Sequence, residues 1–152
     1  MGSLKELVAF ITIVMCTSVT MTVAENAMAP TSIGNPNTTV VISNGGSVPM
    51  VFHCQSYKVD LGVHTMLPGG SWSFEFKPSD SGNTIYACLF SWRLEFHYFR
   101  IYKQSRDQEP AGPFACKRCE WKVSPEGPCQ LMKKTGTFSH CPPWDSQSFG
   151  NN

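Results

Sequence analysis

Apolar and polar residues alternate with a period of two along most of this chain, and no window carries the spacing of a long amphipathic helix. Val40, Val41 and Ile42, stopped by the turn formers Asn44, Gly45 and Gly46, make a first short strand. Val48, Met50, Phe52 and Cys54 then share one face against Val51, His53 and Gln55, with Pro49 suited to a strand start or an edge. Asp60-Leu61-Gly62 reads as a turn leading to His64. Trp72, Phe74 and Phe76 alternate with Ser71, Ser73, Glu75 and Lys77, between Gly69-Gly70 and the turn-rich stretch Pro78 to Gly82. Tyr86, Cys88, Phe90 and Trp92 form the next inward row, continued by Leu94, Phe96 and Tyr98 against Glu95, His97 and Phe99. Cys119, Trp121 and Val123 alternate with Glu120 and Lys122, and two short strands flank a turn at Lys133-Lys134-Thr135-Gly136. About seven to eight short strands with frequent turn signals predict an all-β chain, a small antiparallel β-sandwich of two sheets. A closed barrel is the alternative.

The first residues read as an address rather than as structure. Lys5 precedes the apolar run Leu7 to Met15, and small or hydroxylated residues lead to Thr22, Val23 and Ala24, the order of a secretory signal. The strongly apolar part is about nine residues, short of the roughly 20 needed to span a bilayer. Residues 1–24 are therefore assigned to a signal peptide cleaved after Ala24, with Ala29 as a second choice of site. Residues 25–37 follow as an exposed N-terminal segment, 38–144 as the β-sandwich domain and 145–152 as a flexible tail. Three stretches are expected to be exposed: Glu25 to Asn37, Gln104 to Phe114, and the end from Trp144 onward. The middle one is polar and turn-rich, which suits a contact loop carried on a rigid scaffold, or simply a solvated connector.

Cysteine usage agrees with export. Of seven cysteines, Cys16 falls inside the signal, leaving Cys54, Cys88, Cys116, Cys119, Cys129 and Cys141. Six cysteines in an oxidising compartment form up to three disulfides, and about 15 complete pairings are open. Cys129 with Cys141 is the best single pair, because the two flank the hairpin around Lys134 and adjacent strands bring their Cβ atoms together. A zinc site using Cys116-x-x-Cys119 with Cys129, Cys141 or His140 is the rival, but its spacing is irregular and the second half of a Cys-x-x-Cys ribbon is missing. Asn37-Thr38-Thr39 is a glycosylation sequon at Asn37.

Charge and motif content narrow the chemistry. Twelve Lys and Arg against eleven Asp and Glu give a net charge of +1, too weak for the electrostatic footprint of a nucleic-acid binder. Two of the four histidines acting as acid and base in a secreted ribonuclease are the sharpest enzymatic reading, but His53, His64, His97 and His140 sit in no recognised catalytic context and a basic surface for RNA is lacking. There is no Gly-x-Ser-x-Gly elbow and no Gly-rich loop leading into a helix, and the carboxylates are scattered. Trp72, Trp92 and Trp121 lie on inward rows, which favours core packing over a sugar-binding platform. The expectation is a protein without catalytic residues, cofactor or metal.

The runs His53-Cys54-Gln55-Ser56, Asp60-Leu61-Gly62-Val63-His64 and Trp72-Ser73-Phe74-Glu75-Phe76 resemble the plant self-incompatibility protein family, the S-protein homologues. So do Cys88-Leu89-Phe90-Ser91-Trp92, Phe99-Arg100-Ile101-Tyr102, Arg106-Asp107, Cys116-x-x-Cys119-x-Trp121, Gly127-Pro128-Cys129 and Cys141-Pro142-Pro143-Trp144, in that family's order and spacing. The resemblance, covering about Thr38 to Trp144, implies a small secreted plant β-sandwich held by disulfides. It also implies a ligand recognised by a membrane receptor at the cell surface, with rejection of self pollen as the role in the family's founding system. Cys54, Cys88, Cys116 and Cys119 match the cysteines most widely shared in the family. Cys129 and Cys141 match a pair found in some members, which supports joining those two to each other. The expected molecule is then a monomer that binds a receptor protein, with no nucleic acid and no membrane insertion once the signal is removed. Its candidate contact loops are Gln55 to Asp60, Pro78 to Asn83 and Gln104 to Pro113. An apoplastic defence protein, an inhibitor or antimicrobial, is the alternative function.

Overall fold

The computed structural model describes residues 37–146. The expected signal peptide (residues 1–24), residues 25–36 of the expected N-terminal segment and residues 147–152 of the expected tail lie outside the described residues. Nine strands form two sheets: β1 (Thr38–Asn44), β2 (Met50–Gln55), β3 (Asp60–Met66), β4 (Ser71–Phe76), β5 (Ile85–Trp92), β6 (Glu95–Lys103), β7 (Arg118–Ser124), β8 (Gly127–Met132) and β9 (Thr137–His140). One short helix, α1 (Gln104–Asp107), follows β6. The five-stranded sheet runs β4-β1-β7-β8-β9 and the four-stranded sheet runs β3-β2-β5-β6. Only β1 and β7 pair in parallel among these strands; the other pairs are antiparallel.

The period-two rows of β1, β2, β5 and β7 become the filling between the sheets. Val40, Ile42, Met50, Phe52, Cys54, Cys88, Phe90, Cys119, Trp121 and Val123 are buried to within a few per cent. Burying side chains of this size contributes roughly 1.5 to 3 kcal/mol each, the main force holding one sheet on the other. That role falls to packing because none of the three disulfides joins the sheets. Cys54 and Cys88 face each other on neighbouring strands of the four-stranded sheet. Cys116–Cys119 lies at the start of β7, and Cys129–Cys141 ties β8 to the residue after β9.

Three sequence expectations are corrected here. Asp60-Leu61-Gly62 is not a turn but the start of edge strand β3, whose Gly62 adopts φ +78°. The sequence pattern puts Leu94, Phe96 and Tyr98 on the inward row, yet Leu94 is 90% and Phe96 58% exposed while Phe99 and Ile101 are buried. The tight turn at Arg93-Leu94 pairs Trp92 with Glu95 and Ser91 with Phe96, so Phe96 must share the outward face of Ser91. A bulge opposite Tyr86 and Cys88 then lets the consecutive Ile101 and Tyr102 both enter the core. The residues from Trp144 onward, expected to be exposed, are instead packed as far as Asp145. The Trp144 indole stacks on His97, with centroids 4.6 Å apart, and donates to the Pro125 carbonyl at 3.2 Å. The Asp145 carboxylate takes a bidentate ion pair from Arg100, at 2.9 and 3.2 Å, and a further hydrogen bond from the Arg100 amide.

Candidate functional site

Two of the three expected contact loops, separated by some twenty residues of chain, meet at one end of the sandwich. The β2–β3 turn (residues 56–59) and the β4–β5 loop (residues 77–84) border a groove of about 740 Å³. Its floor is Tyr86 and Ala87 with Phe76, Ile85 and Tyr98 beside them, and its rim carries Tyr57, Lys58 and Lys77. Tyr57 is 93% exposed, an aromatic ring presented almost wholly to solvent. Lys58 and Lys77 are the charged residues that line the groove, with Asp60 and Asp80 in or beside its walls.

Each wall is held by its own short-range hydrogen bonds. In the first, the Ser56 hydroxyl accepts from the Val59 amide at 3.0 Å, and the Ser56 amide donates to the Val59 carbonyl at 2.8 Å. The Asp60 carboxylate accepts from the Gly62 amide at 2.8 Å and from the His53 ring at 2.6 Å. The Gly62 amide and then the His53 ring hold its carboxyl below the usual carboxylate range. In the second wall, Ser81 donates to the Asn83 side-chain oxygen at 2.7 Å, and the Thr84 hydroxyl accepts from the Ser79 amide at 2.8 Å. Gly82, at φ +74°, turns the chain where a side chain would be strained.

The third loop does not join them. No residue of Gln104 to Pro113 lines the groove, and the expectation of an exposed contact loop fails at its start, where Gln104 and Asp107 are 7% and 1% exposed. Gln104 instead serves the groove from behind: its amide group donates to the Ser79 carbonyl at 2.9 Å and its side-chain oxygen accepts from the Thr84 amide at 3.1 Å. Asp107 accepts from the Lys103 amide at 2.8 Å and from Arg106 at 2.7 and 2.8 Å. Arg106 lies over the rings of Phe99, Phe114 and Trp121 and donates to the carbonyls of Arg100 and Ile101. Burial pushes the Asp107 carboxyl up, and the Arg106 guanidinium works against that rise. The sequence pattern does not mark Gln104 as a positioning residue. Its only sequence signal is a long polar side chain placed directly after the apolar end of β6, which a solvated connector would show equally.

The other sequence candidates resolve into local contacts. His53 bonds Asp60, His64 contacts the Leu61 carbonyl at 2.8 Å and packs on Phe52 and Trp72, and His140 meets the edge of Phe114. His97 is covered by Trp144, and no two of the four imidazoles come together as an acid and base pair. The six cysteines form Cys54–Cys88, Cys116–Cys119 and Cys129–Cys141, leaving no thiolate among them for zinc. Trp92 and Trp121 are buried and Trp72 is packed among Phe52, His64 and Phe74, so none of the three forms an open sugar platform. Asn37 is exposed immediately before β1.

Pattern reading also missed an apolar outer surface. Val63, Leu89 and Tyr98 fall in one cross-strand row of the four-stranded sheet with His53, and Val51 and Phe96 fall in the next. Val63, Leu89, Val51 and Phe96 are between 39% and 67% exposed. The corresponding face of the five-stranded sheet is polar, with Thr39 opposite Glu75 and Arg118 beside Glu120. Tyr98 belongs both to the apolar row and to the groove, making the two features continuous.

Residues 39–144 match the model of the plant self-incompatibility protein S1 family. The chain is 40% identical over 126 residues to S-protein homolog 2 of Arabidopsis thaliana, covering 82% of this chain and 76% of that one. S-protein homolog 5 of the same plant is 36% identical over 99 residues, covering 65% and 70% of the two chains. A solved structure from a report on self-incompatibility protein homologues, described as small, highly stable, secreted proteins from plants, is 21% identical, with a TM-score of 0.43 and coverage of 72% of this chain and 94% of that one. With this match running from the first strand to the tryptophan that closes the sandwich, the chain belongs to the plant self-incompatibility protein S1 family.

Proposed function

We propose that this protein is a secreted, non-enzymatic signalling ligand that binds a receptor at the cell surface through the groove end of its sandwich. The observation carrying this reading is the convergence of two loops, distant in sequence, around an exposed Tyr57 on a frame braced from behind by Gln104. Specificity is a difference of affinities between partners, and it needs contact groups whose positions are set before binding. The Ser56 and Ser79 to Thr84 hydrogen bonds supply that order locally. The outer row Tyr98, Leu89, His53 and Val63, apolar except at His53, adds surface of the kind that interfaces bury. The leader-like first 24 residues, the exposed Asn37 sequon and the three disulfides support export. Rejection of self pollen is the finer role this reading extends to.

The test is capture on living plant cells with the oxidised protein, comparing the parent with Tyr57→Ala, Lys58→Ser and a swap of residues 79–83. Binding to a saturable surface protein that falls at least tenfold in Tyr57→Ala, while Lys134→Ala on the β8–β9 turn, outside the groove lining, keeps full binding, supports the proposal. Undiminished binding by the loop swap overturns it.

A further inference from the structure

The Cys-x-x-Cys sequence is put to no use by receptor binding, and its disulfide differs from the other two. Cys116 and Cys119 are separated by three positions, against 34 for Cys54–Cys88 and 12 for Cys129–Cys141. A cross-link closing so short a loop removes the least freedom from the unfolded chain. By the same thermodynamic cycle, the folded chain returns the least protection to that sulfur–sulfur bond. The local chain is also held without it. The Cys116 amide donates to the Asp107 carbonyl at 2.9 Å, and Cys119 sits in β7 between strands β1 and β8.

The two sulfurs are unequal in a way that suits exchange. Cys119 is fully buried, whereas Cys116 is partly exposed. The side-chain amide of Gln130 donates to the Cys116 sulfur and to the Phe114 carbonyl, both at 3.2 Å. Gln130 is itself only 2% exposed, and its side-chain oxygen is buried without a donor. A buried amide aimed at one sulfur favours negative charge there, and the adjacent Lys117 adds a cation on the solvent side, Arg118 being engaged by Glu120.

We propose that Cys116–Cys119 is a reversible thiol–disulfide exchange site for an external dithiol, with Cys116 as the exchanging sulfur, while Cys54–Cys88 and Cys129–Cys141 are structural. A thiolate of the incoming dithiol attacks Cys116 Sγ, the bond to Cys119 breaks, and Cys119 leaves with the electron pair and takes up a proton. The second thiol of the reagent then attacks its own sulfur in the mixed disulfide, and Cys116 departs as a thiolate on the Gln130 amide. Two electrons pass to the protein and the external dithiol becomes a disulfide. The reverse sequence reoxidises the site.

The oxidised protein is equilibrated with graded dithiothreitol, quenched with N-ethylmaleimide and mapped by mass spectrometry, with circular dichroism followed in parallel. Cys116 and Cys119 are expected to label at a dithiothreitol concentration at least tenfold below that for the other four cysteines, with the sheet signal unchanged. The double variant Cys116→Ser/Cys119→Ser is expected to keep the parent spectrum and lose only the low-concentration step. In the selectively reduced protein, Gln130→Leu is expected to slow maleimide labelling of Cys116 at least fivefold at pH 7. Reduction of all three disulfides in one step with loss of structure overturns the assignment, as does prior reduction of Cys129–Cys141. Equal labelling of Cys116 with and without Gln130 removes the exchanging role given to that sulfur.

Discussion

Removing the Asp107 carboxylate tests a buried ion pair packed among aromatic rings. Asp107 is 1% exposed and accepts three charge-assisted hydrogen bonds, one from the Lys103 amide and two from Arg106. Hydrogen bonds to charged groups are worth about 1.5 to 3 kcal/mol each, which summed would overstate the loss. Burial already opposes ionisation of this carboxyl, so its removal returns part of its desolvation cost. Against that, Arg106 would keep its charge among Phe99, Phe114 and Trp121 with only the Arg100 and Ile101 carbonyls as acceptors. Breaking a buried pair from one side costs about 3 to 5 kcal/mol, and the returned desolvation places Asp107→Ala near the lower end, about 3 kcal/mol. With a urea slope of about 1.5 kcal/mol per molar, the unfolding midpoint falls by about 2 M. The assay is equilibrium urea unfolding with disulfides intact, read by tryptophan fluorescence. Arg106→Met/Asp107→Leu is expected to lose at least about 1.5 kcal/mol less than the sum of the single changes, because no unpaired charge is left inside. An Asp107→Ala midpoint within 0.3 M of the parent, or strict additivity in the double variant, would refute the account.

Other outcomes follow from the same geometry. Phe99→Ala is expected to cost about 3 to 5 kcal/mol and Phe96→Ser less than about 1, an inequality in unfolding midpoints that checks which face of β6 is inward. Gln104→Ala is expected to lose about 1 to 2 kcal/mol and to speed hydrogen exchange at the Thr84 amide, reporting a loosened groove wall. Burial opposes ionisation of Asp145, but the Arg100 side chain and amide reverse the balance and hold its carboxyl below the usual range. Its stabilisation is therefore present above the unfolded value near 3.8 and is lost as pH falls through the lower folded value. Asp145→Asn should be about 1 kcal/mol less stable at pH 6 and converge on the parent in strong acid, measured by thermal unfolding across pH. Replacing Cys54 and Cys88 together by Ala is expected to cost about 4 kcal/mol, against about 2 for Cys116 and Cys119, by the chain-entropy dependence on loop length.

By itself the sequence determined the all-β class, the inward rows of β2, β4, β5 and β7, and the family. Those strands have one strongly apolar face, and a period of two then leaves a single way to bury it. The hairpin around Lys134 likewise placed Cys129 near Cys141, because a short turn fixes which residues oppose each other. Only the tertiary structure decided β6, where Phe96 and Tyr98 on one face compete with Phe99 and Ile101 on the other and the pattern carries no preference. There the turn at Arg93-Leu94 and the bulge opposite Tyr86 set the register. It also decided the loop from Gln104 onward, whose polar residues read as solvated. A buried Arg106–Asp107 pair and a free one are identical in sequence, since what separates them is the presence of Phe99, Phe114 and Trp121 around the guanidinium. The groove belongs to the same class of facts: residues 56–59 and 77–84 meet because β2 and β5 pair side by side, with β4 of the opposite sheet ending nearby, a neighbourhood that long-range strand order creates and local pattern does not contain.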